Sequence, residues 1–280
     1  MFFFVFGLFW GSFLNNISLR LEKQEDFLFS RSKCPYCGKI LSWKELIPIC
    51  SFLIQKGRCK NCGLKISLRY PLVEILTGLW VFLLSKIIFP YSFLQIEIIS
   101  LSYFLQFLEF IFYLIFLSIL FVLALYDLKT FLVDDGLIIF GVIIGLIFMC
   151  FKIYFNFAHR DFTYFLNYFF IQFGKFEPIF SALFLSLFFF IIYLITKGQG
   201  LGFGDVKVAF LMGLFLRLGD GLLSILLASL YGSIYGLYVI LRTKKFKQPI
   251  PFVPFFFLGV ITTIFFGKYL TKLYFNFFIT

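Results

Sequence analysis

The sequence predicts an all-α polytopic membrane protein with about eight transmembrane helices and a small cytoplasmic, zinc-ribbon-like loop domain. Apolar residues make up 61% of the 280 positions, whereas soluble domains contain roughly 45 to 50%. Stretches of about 20 apolar residues, each long enough to cross a bilayer core of about 30 Å, recur along the chain. The only long polar stretch, residues 20–70, carries two cysteine pairs. The lipid bilayer is therefore the solvent of most of this chain.

Eight apolar stretches are predicted to span the membrane. The third begins inside an apolar run that starts near Phe93, and the sixth is short for a full crossing. Composition divides the chain into a first helix (1–19), a loop domain (20–70) and a transmembrane domain (71–280). The predicted spans are 2–19, 71–91, 98–126, 134–155, 178–196, 206–218, 221–241 and 252–274.

The distribution of positive charge predicts the orientation of these spans. Lys and Arg accumulate on the cytoplasmic side of inserted helices. If the first span leads inward, the loops of that side carry eighteen of the 25 Lys and Arg, eleven of them between Arg20 and Arg69. Both termini are then external, and the loop domain is cytoplasmic.

The net charge of +11 raises the question of a nucleic-acid partner. Four of the basic residues lie in one juxtamembrane loop, Arg242 to Lys247, where anionic lipid head groups are the simpler partner. The sequence therefore predicts contact with the lipid bilayer and no binding of nucleic acid, and it makes no prediction of the oligomeric state.

The cysteines of the loop domain form two similar knuckles. Cys34 and Cys37 precede Gly38, and Cys59 and Cys62 precede Gly63. Two residues between thiolates let both sulfurs turn toward one point, and two such turns predict a structural Cys₄ zinc site. Redox or incidental thiols are the alternative, and disulfides are disfavoured in a cytoplasmic loop.

The remaining cysteines and the histidine are not expected to act in catalysis. Cys50 and Cys150 have no partner at such spacing and are expected to be packed apolar residues. His159, the only histidine, falls on the predicted outer side, which disfavours a Ser/His or Cys/His catalytic pair.

Two carboxylates are predicted at the cytoplasmic ends of spans. Asp127 closes the third span in ALYDLKTFLVDD, and Asp205 opens the sixth in GLGFGDVK. Acidic residues are costly in hydrocarbon, so their presence there suggests a function. A close pair of carboxyl groups can share one proton, activate water and donate to a peptide carbonyl. For Asp127 alone, an interfacial charge near Lys129 is the structural alternative.

Glycines surround the second acid. Gly198, Gly200, Gly202 and Gly204 occupy alternate positions, where the missing side chains permit unusual dihedral angles and close approach of a substrate strand. A nucleotide-binding loop is the alternative, but no strand precedes this segment and no complete fingerprint is present.

These motifs together resemble those of the bacterial prepilin peptidases, or type IV leader peptidases, a family of GxGD-type aspartyl proteases. The resemblance covers the whole chain in the family's order. It rests on GLFWGSFLN (Gly7 to Asn15), the double CxxC loop, DLKTFLVDD, GLGFGDVK and IPFVPFFFLG (Ile250 to Gly259). The resemblance implies that Asp127 and Asp205 are the catalytic pair.

The same resemblance implies the substrate and a second activity. Family members cleave prepilins or type II secretion pseudopilins after a glycine, at the cytoplasmic face of the bacterial inner membrane. Members with the cysteine loop commonly methylate the new amino terminus with S-adenosylmethionine. No methyl-donor site follows from the residues themselves, and the cysteine-bearing loop is a candidate region.

The chain departs from the family pattern at one position. Asp134 stands where the family usually has Pro, directly before Asp135. The change restores an amide donor and adds a carboxylate near the dyad. Asp134 and Asp135 are also candidates to hold a cationic leader peptide, and Gly202, Gly204 and Lys207 are candidates for supporting residues.

Two other classes of function stay open from the sequence. Another GxGD intramembrane protease without methylation shares the dyad but gives no reason for the CxxC loop. A transporter or scaffold with a zinc-stabilised loop is the non-enzymatic alternative. Transporters place ionisable residues near the midplane in repeated halves, and neither feature is found in this sequence.

Overall fold

The computed structural model describes residues 1–25, 31–89, 101–155, 176–244 and 248–278. Within these ranges the chain is helical, and isolated bridges in the loop domain are the only β-pairings. The helices are α1 (Phe2–Lys23), α2 (Cys50–Ile54), α3 (Arg69–Ile88), α4 (Leu101–Thr130), α5 (Asp135–Tyr154), α6 (Glu177–Thr196), α7 (Phe203–Phe215), α8 (Leu218–Thr243) and α9 (Val253–Phe278).

The all-α membrane fold is confirmed. Within the described ranges, seven helices are long and apolar enough to cross a membrane: α1, α3, α4, α5, α6, α8 and α9. The helix at the sixth predicted span, α7, has 13 residues and is too short to be counted with them. The predicted start of the third span at residue 98 and the apolar run before it from Phe93 lie outside the described residues, as do His159, Lys245 and Lys247.

The chain forms two compact units, Met1–Phe110 and Ile111–Thr280, which are called unit 1 and unit 2. In unit 1, α1 packs against α3 through small residues. A Cβ atom on Gly7 would lie 2.8 Å from the Cα of Gly78, and one on Gly11 would lie 2.8 Å from the Cβ of Thr77. Glycine at these positions therefore permits the close approach of the two helices.

The loop domain of unit 1 contains two knuckles with the same backbone pattern. In the first, the Cys34 N–H bonds the Lys39 carbonyl, and an antiparallel bridge joins Lys33 to Ile40. In the second, the Cys59 N–H bonds the Leu64 carbonyl in the same way. Gly38 and Gly63 have φ angles of +69° and +72°, which explains why glycine follows each CxxC pair.

In unit 2, most residues of the short helix α7 are buried. A Cβ atom on Gly213 would lie 2.3 Å from the Cα of Ala182, so α6 and α7 approach at backbone distance. On the α5 side, Gly145 faces Leu214 and Phe215. The Phe215 ring stacks on Phe116 of α4 with centroids 4.4 Å apart. Helices α4, α5 and α6 thus hold α7, which carries Asp205 in its first turn.

The other contact that orders unit 2 joins α8 to α9. A Cβ atom on Gly259 would lie 2.2 Å from the carbonyl oxygen of Ser224, so only glycine fits there. This contact fixes the position of α9, whose first residue is Val253. The backbone at this helix start reaches the end of α4, where Asp127 lies.

Candidate active site and cysteine cluster

Asp127 lies in the last turn of α4 and is 5% exposed. Its Oδ2 accepts a hydrogen bond from the Val253 N–H at 3.1 Å, and the Phe252 amide also lies in hydrogen-bonding range. Amides at the start of a helix have no intrahelical acceptor and favour a negative charge. The amino end of α9 therefore holds this carboxyl group in place.

Asp205 lies in the first turn of α7 and is 9% exposed. Its Oδ2 accepts the Gly202 N–H at 3.1 Å, while its own N–H bonds the Gly202 carbonyl. A carboxylate three residues after the start of a helix commonly caps that start in this way. Asp205 is thus held by the glycine segment that precedes it.

The two acids lie in segments of unit 2 that contact each other. The negative charge of Asp127 acts on Asp205, so the two carboxyl groups lie within range of electrostatic repulsion. The chain after α4 contacts the first turn of α7, since a Cβ atom on Gly204 would lie 2.6 Å from Cγ2 of Val133. These contacts fit the predicted pairing, and the catalytic role of the two acids stays a prediction.

Three of the candidate supporting residues make contacts in unit 2. Asp134 is the N-cap of α5, where its Oδ1 accepts the Leu137 N–H at 2.8 Å. Asp135 forms an ion pair with Lys207 of α7, in which the Asp135 side chain is 66% exposed. An exposed pair contributes about 1 kcal/mol or less. Both acids of the Asp134–Asp135 sequence thus have partners in unit 2.

The four cysteines of the two knuckles converge as predicted. One sulfur from each of Cys34, Cys37, Cys59 and Cys62 lies within 4.8 Å of the other three. In a tetrahedral zinc site with Zn–S bonds of about 2.3 Å, the sulfur atoms are about 3.8 Å apart. The donor set therefore fits a metal ion, and zinc is the metal that four thiolates favour.

The surroundings shift the pKa values of these thiols in both directions. Although the Leu64 amide lowers it, burial and the neighbouring thiols raise the pKa of Cys62 to about 11. The Lys39 amide, followed by the Asn61 side chain, lowers the pKa of the Cys37 thiol to about 6. The amides of Cys62 and Asn61 lower the pKa of Cys59 as well. Thiolates are the form that binds metal. Cys50 and Cys150, which were expected to be packed, are both exposed, so that prediction was wrong.

The sequence analysis did not identify three polar groups that the structure places beside a candidate catalytic acid or inside a helix interface. The Val253 amide belongs to a motif that was noticed, but its role needs the contact between α4 and α9. Asn15 and Glu74 are buried in the first two spans, at 1% and 6% exposure. The cost of polar groups in hydrocarbon was a usable signal, but it was applied only to acids at span ends.

Comparison with known proteins agrees with this architecture. The family model "Bacterial Peptidase A24 N-terminal domain" matches residues 5–88, and the model "Type IV leader peptidase family" matches residues 114–237. The first match falls within unit 1 and the second within unit 2. No solved structure matches the chain.

Curated relatives match most of the chain. A prepilin leader peptidase/N-methyltransferase of Bacillus subtilis (strain 168) is 29% identical over 97% of this chain and 96% of its own length. One of Klebsiella pneumoniae is 30% identical over 77% of this chain and 84% of its length. One of Myxococcus xanthus (strain DK1622) is 31% identical over 88% of this chain, which spans 64% of that relative. The chain therefore belongs to the type IV leader peptidase family.

Proposed function

We propose that this protein is an intramembrane aspartyl endopeptidase that removes the basic leader peptide from type IV prepilins or type II secretion pseudopilins. It also methylates the new amino terminus with S-adenosylmethionine. The observation that carries the proteolytic part is the burial of Asp127 and Asp205 within range of mutual repulsion. Membership in the family and the names of its relatives support both parts.

The dyad supplies the acid and the base for hydrolysis. Two carboxyl groups that repel each other share one proton, and the pair titrates as a unit. The ionised group takes a proton from water as the water attacks the peptide carbonyl carbon. The protonated group donates its proton to the carbonyl oxygen. Collapse of the tetrahedral intermediate breaks the C–N bond, and a proton passes to the leaving amine.

The backbone amides around the dyad determine which oxygen atoms take part. The Val253 N–H engages Oδ2 of Asp127, and the Gly202 N–H engages Oδ2 of Asp205. Each carboxyl group is therefore held through one oxygen, in the manner that preorganised catalytic groups require. The backbone of Gly204 lies against the Val133 side chain. A larger residue at position 204 would push the start of α7 away from the segment that follows α4.

The cysteine cluster is proposed to bind one structural zinc ion. Four sulfur ligands close the coordination sphere and leave no position for substrate. The ion would join the Cys34–Cys37 knuckle to the Cys59–Cys62 knuckle, which also meet through direct contacts. One of these is the Asn61 amide, which donates to the Cys37 sulfur at 3.5 Å. Zinc would thus stabilise the loop domain rather than act in hydrolysis.

The Asp134–Asp135 sequence is proposed to recognise the leader's positive charge. Asp135 is the more accessible candidate, and a leader lysine can compete with Lys207 for its carboxylate. Asp134 serves the start of α5 at the same time. Reversing the charge at Asp134 should reduce cleavage of Lys-rich leaders more than Lys-poor ones. Equal effects on both leaders would remove this role.

The proposed location is the bacterial inner membrane, with the dyad facing the cytoplasm. The distribution of Lys and Arg supports this orientation, because eighteen of 25 fall on the side of the loop domain. Asp127 lies in the last turn of α4 and Asp205 in the first turn of α7. The two helices between them, α5 and α6, would cross the membrane once in each direction, so both acids would lie on the same side of the membrane.

The test is processing of a candidate prepilin in cells that produce wild type, Asp127→Asn or Asp205→Asn. Each substitution keeps the size of the side chain and removes its ability to exchange a proton. We expect at least a ~10³-fold loss of cleavage with each, since removal of a catalytic acid or base costs this order of rate. Immunoblots of substrate size provide the measurement.

Asp220→Asn is the matched control. Asp220 is 2% exposed in the first turn of α8, next to the carboxyl end of α7, whereas Asp205 lies at the amino end. Thirteen helical residues separate the two ends by about 20 Å. Processing should persist in this variant. Full cleavage by either dyad variant at normal membrane abundance would exclude the proposed mechanism.

A further inference from the structure

The interface of α1 and α3 in unit 1 contains an amide side chain without hydrogen bonds to the described part of the chain. Asn15 is 1% exposed, and neither its Oδ1 nor its Nδ2 has a partner among the described residues. Most buried polar atoms in folded proteins are paired, and an unpaired one is costly. A buried asparagine with both groups unused therefore calls for an explanation.

The neighbours of Asn15 place it between two charged residues of α3. Gly11, one turn before it, packs against Glu74 and Thr77. Ser18, three residues after it, accepts a hydrogen bond from Nη2 of Arg69. Residues 11, 15 and 18 share one helix face. Asn15 thus lies on the face toward α3, between the levels of Glu74 and Arg69.

Arg69 also has an unused donor. Its Nη1 pairs with Glu22 at 2.9 Å and its Nη2 with Ser18, while its Nε is buried without a partner among the described residues. The two terminal nitrogens of the guanidinium are therefore held by α1, while Nε keeps a donor that no described residue uses. Asn15 on α1 and Arg69 on α3 thus each carry an N–H donor without a partner among the described residues.

Glu74 supplies the negative charge of this group. Its Oε2 accepts the Ile49 N–H at 2.8 Å, and the Ser12 hydroxyl also hydrogen-bonds the carboxylate. Ile49 has a φ of +60°, which is unfavourable for a β-branched residue. Glu74 therefore holds a strained turn of the loop domain against α3. A carboxylate has about four acceptor positions, so it retains capacity for another donor.

The unused groups match the two ends of an α-amino-acid group. The N–H groups of Asn15 and Arg69 suit a carboxylate, and the oxygens of Asn15 and Glu74 suit an ammonium group. S-adenosylmethionine ends in such a group, so the residues present fit this donor. We propose that Asn15, Arg69 and Glu74 bind the amino-acid end of the methyl donor. This inference rests on the proposed methyl transfer.

A purely structural role explains Asn15 less well. Polar side chains in membrane helices stabilise packing by bonding across the interface or to their own backbone. Ser18 does the first and Thr77 the second, since its hydroxyl donates to the Val73 carbonyl at 2.8 Å. Asn15 does neither within the described ranges. Its side chain weakens the packing that a Leu would strengthen, which is expected of a residue kept for binding.

The role of these residues is to hold the donor while the substrate amine reacts. The bound donor supplies a methyl group on a positively charged sulfur. The neutral amine forms the new N–C bond as the C–S bond breaks, so the positive charge passes to the methylated amine and S-adenosylhomocysteine leaves. Glu74 and Arg69 fix the far end of the donor through charges that do not change in this step.

The test measures binding to the full-length protein in detergent or nanodiscs by isothermal titration calorimetry. The probes are S-adenosylhomocysteine, 5′-methylthioadenosine, which lacks the amino-acid end, and free methionine. Wild type should bind S-adenosylhomocysteine at least tenfold more tightly than 5′-methylthioadenosine. Asn15→Leu and Glu74→Gln should each remove most of this difference while leaving the affinity for 5′-methylthioadenosine unchanged.

Thr263→Val is the matched control. Thr263 is also fully buried, with a hydroxyl that has no partner among the described residues, but it lies on α9 in unit 2. It should not alter the binding of any probe. If Asn15→Leu is poorly folded, as judged by thermal unfolding, Asn15→Ser and Glu74→Gln supply the same comparison.

The outcomes separate this inference from the proposed function. Intact mass of the processed substrate reports cleavage and methylation in the same preparations. Unchanged S-adenosylhomocysteine affinity in the variants would overturn the inference, and methylation by wild type would leave the function standing. Wild type that neither binds S-adenosylhomocysteine nor methylates would overturn both. Tight binding of free methionine alone, abolished by Asn15→Leu, would overturn the methyl donor as the occupant.

Discussion

The two units use buried polar groups in opposite ways. In unit 2, Asp127 and Asp205 are each held by a backbone amide, so their positions are fixed before any substrate arrives. In unit 1, Asn15 is as well buried but has no such partner among the described residues. Preorganised acids are suited to proton transfer. An unpaired amide is suited to binding a ligand that completes its hydrogen bonds.

The largest expected effect separates the two chemistries. Asp205→Asn should lose at least ~10³-fold in cleavage but methylate a synthetic, already processed peptide at a rate within about twofold of wild type, because the amine needs no dyad. Mass spectrometry of the peptide provides the measurement. Loss of methylation along with cleavage would show that the two activities share the dyad and would remove the contrast between the units.

The next effect concerns the cysteine cluster. Cys34→Ser should abolish stoichiometric zinc and make the loop domain more sensitive to limited proteolysis, because binding of a structural metal contributes to folding. Cleavage should fall by less than about tenfold, since a metal held by four thiolates has no open position for water or substrate. Cys50→Ser, at an exposed cysteine outside the cluster, is the control. Equal zinc content in the two variants would contradict this assignment.

A smaller effect tests the preorganisation of the dyad. Gly204→Ala would place a Cβ atom 2.6 Å from Val133, and relief of such a clash typically costs 1 to 3 kcal/mol. We expect cleavage to fall by about tenfold or more as α7 moves away from Asp127. Gly236→Ala is the control, because its Cβ would meet Ile250 at an ordinary 3.4 Å. Equal rates for both variants would show that the dyad tolerates displacement.

The smallest expected effect is a gain in stability, whereas the other variants lose activity or zinc. Asn15→Leu should stabilise ligand-free unit 1 by about 1 kcal/mol, because it removes an unpaired buried amide from an apolar interface. Thermal unfolding in detergent measures the change, and Thr263→Val should produce a similar gain in unit 2. Destabilisation by Asn15→Leu alone would indicate that the asparagine has a structural partner.

Much of this site could be predicted from the sequence because its signals are local. CxxC pairs followed by glycine dictate knuckles, and acids at the ends of apolar spans suggest a dyad. The partners of those acids could not be predicted, since the Val253 amide reaches Asp127 only after α8 and α9 pack through Gly259. The hydrogen bonding of Asn15 could not be predicted either, because it depends on which residues of α1 and α3 face each other.

The length of α7 has a consequence for the surrounding lipid. Thirteen residues extend about 20 Å, while the hydrocarbon layer measures about 30 Å. Non-helical backbone at either end must then lie within that thickness, and a locally thinner bilayer relieves the mismatch. Turnover should therefore depend on acyl-chain length in reconstituted vesicles, and long saturated chains should slow the enzyme without any change in its sequence.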